Sequence, residues 1–249
     1  DLEVNIFGNN DLSSFDVNAF FSNGRSLGFA TRGKINLDSK KGTLLDLKAY
    51  FQDFALSPFN PFVEGIFYDL RGKMSGLVNI KGSITDPLMD GTLTLQEAGA
   101  GISYLNLNAD INDGAKIKVN NKTFDIDNWR LTDTAYNTQA TLNGSIRHNR
   151  LLDWFLDLKL QTLGKRFMVL NTQYTDDALF YGTAFMNGAA TIKGALDEIA
   201  INVNAKTEEG TSFKIPLSDT ESVGDDSFIT FVEKGDKKVK VQRDLESIK

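Results

Sequence analysis

The sequence predicts an all-β fold: an elongated, curved, mainly antiparallel sheet rolled into a U-shaped trough, with one short amphipathic helix. Three observations carry that prediction. Most segments alternate apolar with polar residues, the period-two signature of strands with one greasy face. A strand–glycine–apolar–turn phrase recurs as Arg32-Gly33-Lys34-Ile35, Lys81-Gly82-Ser83-Ile84, Asn143-Gly144-Ser145-Ile146 and Lys193-Gly194-Ala195-Leu196. Its period of roughly 50–60 residues marks a repeat architecture, with module joints near Gly33, Gly82, Gly144 and Gly194. Only one stretch, Asn60 to Gly72, carries helical spacing.

In chain order, strands are expected at Leu2–Ile6, Phe15–Ala19, Leu27–Leu37 and Thr43–Tyr50. The helix follows over Pro61–Leu70. Asn60 stands where an N-cap belongs and Pro61 at the first helical position, and Gly72 ends the run. Its apolar face is Phe62, Ile66, Phe67 and Leu70. Leu77–Ile84 and Gly91–Leu95 flank a turn at Thr85-Asp86-Pro87. Strands at Leu105–Ile111, Ala115–Val119, Thr123–Ile126, Gln139–Ile146 and Phe155–Leu160 come next. Arg166–Leu170, Ala189–Ile192, Ile199–Ala205 and Ser212–Leu217 complete the repeat-built region, residues 1–218. Residues 219–249 alternate poorly and read as one terminal strand near Phe228–Val232 followed by a charged, flexible tail.

Composition excludes several function classes. A formal charge of -6, with basic residues dispersed along polar strand faces, argues against a nucleic-acid partner. The chain has no cysteine, so disulfides and thiolate metal sites are impossible. No apolar run reaches the ~20 residues of a membrane-spanning helix. The chain opens on a strand without a signal peptide, and reads as a segment of a longer polypeptide whose anchor lies outside it.

Catalytic chemistry has little to build on. His148 is the single histidine and lies in Arg147-His148-Asn149-Arg150, read as a solvated turn. No Gly-x-Ser-x-Gly elbow supplies a nucleophile. Asp125, Asp127 and Asn128, Asp176-Asp177 and Asp225-Asp226 have calcium-binding composition but not the spacing, and read as turn formers. No catalytic residue, metal site or cofactor is expected.

What stands out is an apolar stripe uninterrupted by charge. It comprises Val78, Ile80, Ile84, Leu93, Leu95, Leu107, Ala109, Ile111, Ile117, Val119, Leu158, Leu160, Ile192, Ile199, Ile201, Val203, Phe213 and Ile215. A closed sandwich or barrel would use such a stripe as its core. A channel wall would use it as a lining, and the dominance of aliphatic residues and glycine suits that second use equally.

The Gly76–Gly91 stretch, with its Gly-x5-Gly-x-Ile-x-x-Pro-x-x-x-Gly pattern, resembles the repeats of the TamB family, in the AsmA-like group. Tyr181-Gly182-Thr183-Ala184, Gly188, Gly194 and Thr207-Glu208-Glu209-Gly210-Thr211 through Pro216-Leu217 resemble a second stretch of that family. Phe228-Ile229 and Phe231 resemble the next stretch of the chain in Bacteroidota members. The likeness spans Pro58 to Val232 and places the segment upstream of the family's extreme C-terminal region. It implies a U-shaped trough, apolar inside and polar outside, in the periplasm, part of a protein anchored in the inner membrane that carries phospholipid and supports outer-membrane protein assembly. It also implies phospholipid acyl chains and a BamA-like outer-membrane barrel as partners, and no enzymatic activity. Two other readings stay open: a chaperone that templates outer-membrane strands along a free edge, and a β-solenoid adhesin or carbohydrate-binding protein.

Overall fold

The computed structural model describes residues 2–23, 26–63, 67–196 and 198–216. Among the described residues, fifteen strands form one antiparallel sheet. They are β1 (Leu2–Gly8), β2 (Ser14–Asn23), β3 (Ser26–Asp38), β4 (Gly42–Ala55), β5 (Phe67–Ser83), β6 (Asp86–Ile102), β7 (Leu107–Ile111) and β8 (Lys116–Asn121). After these come β9 (Thr123–Asp133), β10 (Gln139–Asn149), β11 (Asp153–Leu163), β12 (Phe167–Thr172), β13 (Tyr181–Ala195), β14 (Glu198–Thr207) and β15 (Ser212–Lys214). Strands β1 to β6 meander in chain order, each pairing with the next. Strand β6 is long enough to serve two partners, β8 along Met89–Thr94 and β7 along Gly99–Ile102. Strand β13 divides likewise: its first residues pair with β12 and β15, its later ones with β11 and β14.

Cross-strand partners share a face, so the register decides what each side of the sheet presents. One row runs through twelve strands: Leu2, Phe21, Phe29, Phe51, Gly76, Leu93, Ile117, Ile126, Gly144, Leu158, Ile192 and Ile201. Every member is apolar or glycine. Eleven strand spacings of ~4.8 Å make this row about 53 Å long along the sheet. The other face carries charges that alternate across strands, and also the apolar run Phe20, Ala30, Tyr50 and Leu77. Asp16 meets Lys34 at 3.7 Å, Asp46 meets Lys81 at 4.0 Å, and Asp157 meets Lys193 at 3.0 Å.

Glycine has a specific task within the row. Gly144 has φ 133°, and a Cβ placed there would stand 2.1 Å from the carbonyl oxygen of Asp157 on the facing strand. The β9–β10 register also shifts between Leu142 and Gly144. A side chain at this point would push β11 away, so the close approach requires glycine.

Two clusters are packed beneath the sheet. The first gathers Met74, Val78, Leu93, Leu95, Val119, Ile126 and Trp129, with Phe51, Phe54 and Leu158 against them. In the second, Phe167 and Met168 of β12 and Phe185 of β13 pack on Leu107 and Ala140. A polar relay fixes this contact: the Thr138 hydroxyl donates to Asp133 and accepts the N–H of Met168 at 2.8 Å. The stripe is therefore closed in two places, over the middle strands β5–β9 and under β12, and exposed toward its edges at β1 and β14.

Several local expectations change. The helix is one turn, Asn60–Val63, after a 3-10 turn at Ser57–Phe59. Phe67 and Leu70 belong to β5, where Phe67 pairs with Ile102. Of the expected helical face, Ile66 lies outside the described residues, as does the side chain of Phe62. The reason is sheet pairing: Asn60 hydrogen-bonds the Leu70 backbone through both its Oδ1 (2.7 Å) and its Nδ2 (3.0 Å), holding that residue extended like a neighbouring strand. A helix under ~12 residues has little stability of its own to resist this. Asp86 and Pro87 open β6 instead of forming the turn, which is Ile84-Thr85. Leu105 closes a 3-10 turn before β7. Asp125 and Asp127 lie within β9 and are not turn formers. Gly33, Gly82, Gly144 and Gly194 all lie inside strands. The strand expected near Phe228, the tail and Asp225-Asp226 lie outside the described residues.

Candidate apolar groove

The lining proposed from the sequence divides into three by depth. Val78, Leu93, Leu95, Leu107, Ala109 and Val119 are buried. Ile80, Ile111, Ile117, Leu158, Leu160 and Ile192 are half-buried. Ile84, Ile199, Ile201, Val203, Phe213 and Ile215 are exposed, Ile201 at 58% and Val203 at 61%. The apolar face is thus packed in its middle and open toward β14. The opposite edge is open too, since Leu2, Val4 and Ile6 of β1 are on the same face and exposed.

Alternation misses several lining residues because the strands carry bulges. Asp53, Asp69, Glu97 and Asn128 each have φ near +50°. Each inserts one residue and reverses the parity after it. Phe51 and Phe54, Leu95 and Ala98, and Ile126 and Trp129 therefore lie three apart in sequence yet enter the same core. An acidic or amide residue between two apolar positions three apart is the signal that could have revealed them.

A recess of about 240 Å³ opens in the lining, walled by Ile117, Phe124, Ile126, Trp129, Ile146 and Trp154. The Trp129 indole N–H is satisfied by the Lys116 carbonyl at 2.8 Å, which turns the ring's apolar body to the recess. Phe124 and Trp154 stack with centroids 5.9 Å apart.

His148 corrects the expectation of a solvated turn. It is 1% exposed and sits in β10 directly opposite Trp154. The hairpin loop is short, 150–152, with Arg150 and Leu151 at positive φ, so pairing persists to Asn149 and Asp153. The parity of Leu142, Gly144 and Ile146 then carries His148 onto the apolar face. Burial holds its pKa below the ordinary value near 6.5, and the nearby Lys122 ammonium adds to this, against a smaller opposing effect of Asp86. The native state therefore resists protonation that the unfolded chain accepts. Stability conferred by neutral His148 is fully present above pH ~6.5 and is lost as pH falls below it toward the lowered folded value. Thermal melts from pH 7.5 to 5 should show this decline in the wild type and a smaller one in His148→Leu. Parallel curves would refute it.

Among the described residues, no three His, Asp or Glu side chains are grouped to hold a metal, and no helix is long and apolar enough to cross a membrane.

Residues 127–247 match the model of the TamB C-terminal domain. Over this region the chain belongs to the TamB family. The match begins within β9, and its described part takes in β10–β15. TamB proteins work in lipid and protein transport of the cell envelope. No curated protein and no solved structure matched the chain.

Proposed function

We propose that this TamB segment is a non-catalytic conduit whose apolar face shields phospholipid acyl chains during transfer across the periplasm, in support of outer-membrane assembly. The twelve-strand apolar row carries this reading. An acyl chain leaving a bilayer forfeits about 0.8 kcal/mol per methylene, on the order of 10 kcal/mol for one tail. Where the row is open, at β1 and at β14, its apolar floor covers a tail while the headgroup stays in water. Such transfer requires no acid, base or nucleophile. A BamA-like barrel of the outer membrane is the partner this role calls for, engaged through parts of the protein other than the groove.

Native mass spectrometry of the purified chain tests the reading. Phospholipid should co-purify, or be taken up from vesicles, and be displaced by long-chain detergent. A chain that carries none and takes up none overturns it.

A second reading has its own observation. Every residue of β14 is exposed, and among the described residues β14 pairs only with β13. A nascent outer-membrane strand could add to that edge by backbone pairing. Photo-cross-linkers along β14 would capture extended outer-membrane segments on this reading, and lipid on the first.

A further inference from the structure

Beside the apolar recess stands a polar atom that no protein group satisfies. His148 Nδ1 accepts the N–H of Leu151 at 3.2 Å, so the neutral ring carries its proton on Nε2. That Nε2–H is buried and makes no hydrogen bond. The imidazole lies 5.4 Å from the Trp154 ring and 5.9 Å from Phe124, two walls of the recess, and shares their face of the sheet. The local charges are already matched: the Lys122 ammonium contacts Asp86 at 2.7 Å, and the Lys122 carbonyl accepts the His148 backbone N–H at 3.0 Å. Asp86 Oδ1 is also buried without a donor.

We propose that the recess and His148 form a subsite for the ester end of an acyl chain, with methylenes in the recess and the ester carbonyl accepting the Nε2 proton. The inference rests on the lipid-groove reading and goes further by naming the group recognised. A neutral donor beside a matched ion pair favours an uncharged acceptor. A buried anion would meet the unpartnered Asp86 oxygen and find no free cation to offset its lost hydration. A hydrocarbon would leave the donor unpaired, which is the costly state for a buried N–H.

The chain reports on itself, because it has one histidine and two tryptophans, Trp129 and Trp154, both in the recess wall. Methyl decanoate, decane and decanoate should be titrated into 15N-histidine-labelled protein at pH 7.5, following tryptophan emission and the Nε2 resonance. Methyl decanoate and decane should both change the emission, and only the ester should shift Nε2. His148→Phe should bind the ester about tenfold more weakly with decane unchanged, whereas His148→Gln, which keeps a donor, should retain most of the affinity. If His148→Phe misfolds by circular dichroism, the wild-type resonance decides alone. Emission changes with Nε2 moved by neither ligand, or equally by both, would overturn the ester subsite and leave the groove reading intact. A larger Nε2 shift with decanoate than with the ester would overturn the choice of a neutral acceptor. No emission change with any ligand would overturn the subsite and count against the groove itself.

Discussion

Replacing Asp133 with alanine should cost the fold about 3 kcal/mol or more, read as a fall in the urea midpoint. The carboxylate is fully buried at the end of β9. It accepts the N–H groups of Ala135 (3.1 Å), Tyr136 (2.7 Å) and Thr138 (2.6 Å) together with the Thr138 hydroxyl. Alanine would leave these part-buried donors with no protein acceptor, and a donor left unpaired away from water costs ~1–3 kcal/mol. The damage should extend beyond the turn, because Thr138 in turn receives the Met168 N–H and so positions β12 over the second core. Amide exchange at Met168 and Phe185 should accelerate before exchange in β5 or β6 does. Asp133→Asn, which keeps the oxygen serving Ala135 and Tyr136, should fall between wild type and alanine. A loss below ~1 kcal/mol for alanine would mean that the turn holds without its acceptor.

That relay is invisible to pattern reading, and the reason is general. Alternation encodes which face a residue takes, so the long apolar row from β5 to β14 is legible wherever strands run without interruption. It stops being legible at bulges, where one residue with positive φ at Asp53, Glu97 or Asn128 reverses the parity. It also fails where pairing overrides local propensity. Phe67 and Leu70 have helical spacing, but Asn60 and Ile102 supply extended partners, and a short helix cannot compete. His148 reads wrongly from the sequence because its polar neighbours suggest a turn, although Ile146 and Gly144 already set the face it occupies. Family membership is legible through glycine spacing, because a close strand approach such as that at Gly144 tolerates no other residue.

The apolar row itself predicts two opposite outcomes for one substitution. Ile126 and Ile201 both belong to it, but Ile126 is 6% exposed within the first core and Ile201 lies on the open edge strand. Ile126→Asp places a carboxylate between Ile117 and Gly144 with no cation beside it, and should destabilise by about 3–5 kcal/mol or unfold the segment. Ile201→Asp leaves the charge in water and should change stability by less than ~1 kcal/mol. Ile80, half-buried against the same core, should fall between them as Ile80→Asp. Lipid loading separates core from conduit. In Ile201→Asp the fold should persist while bound phospholipid drops several-fold, since a hydrated carboxylate on the floor interrupts the surface along which a tail must lie. Circular dichroism and native mass spectrometry on the same samples read both quantities. Equal collapse of the two variants would show that the edge is as closed as the centre. A folded Ile201→Asp with a full lipid load would show that acyl chains do not traverse β14.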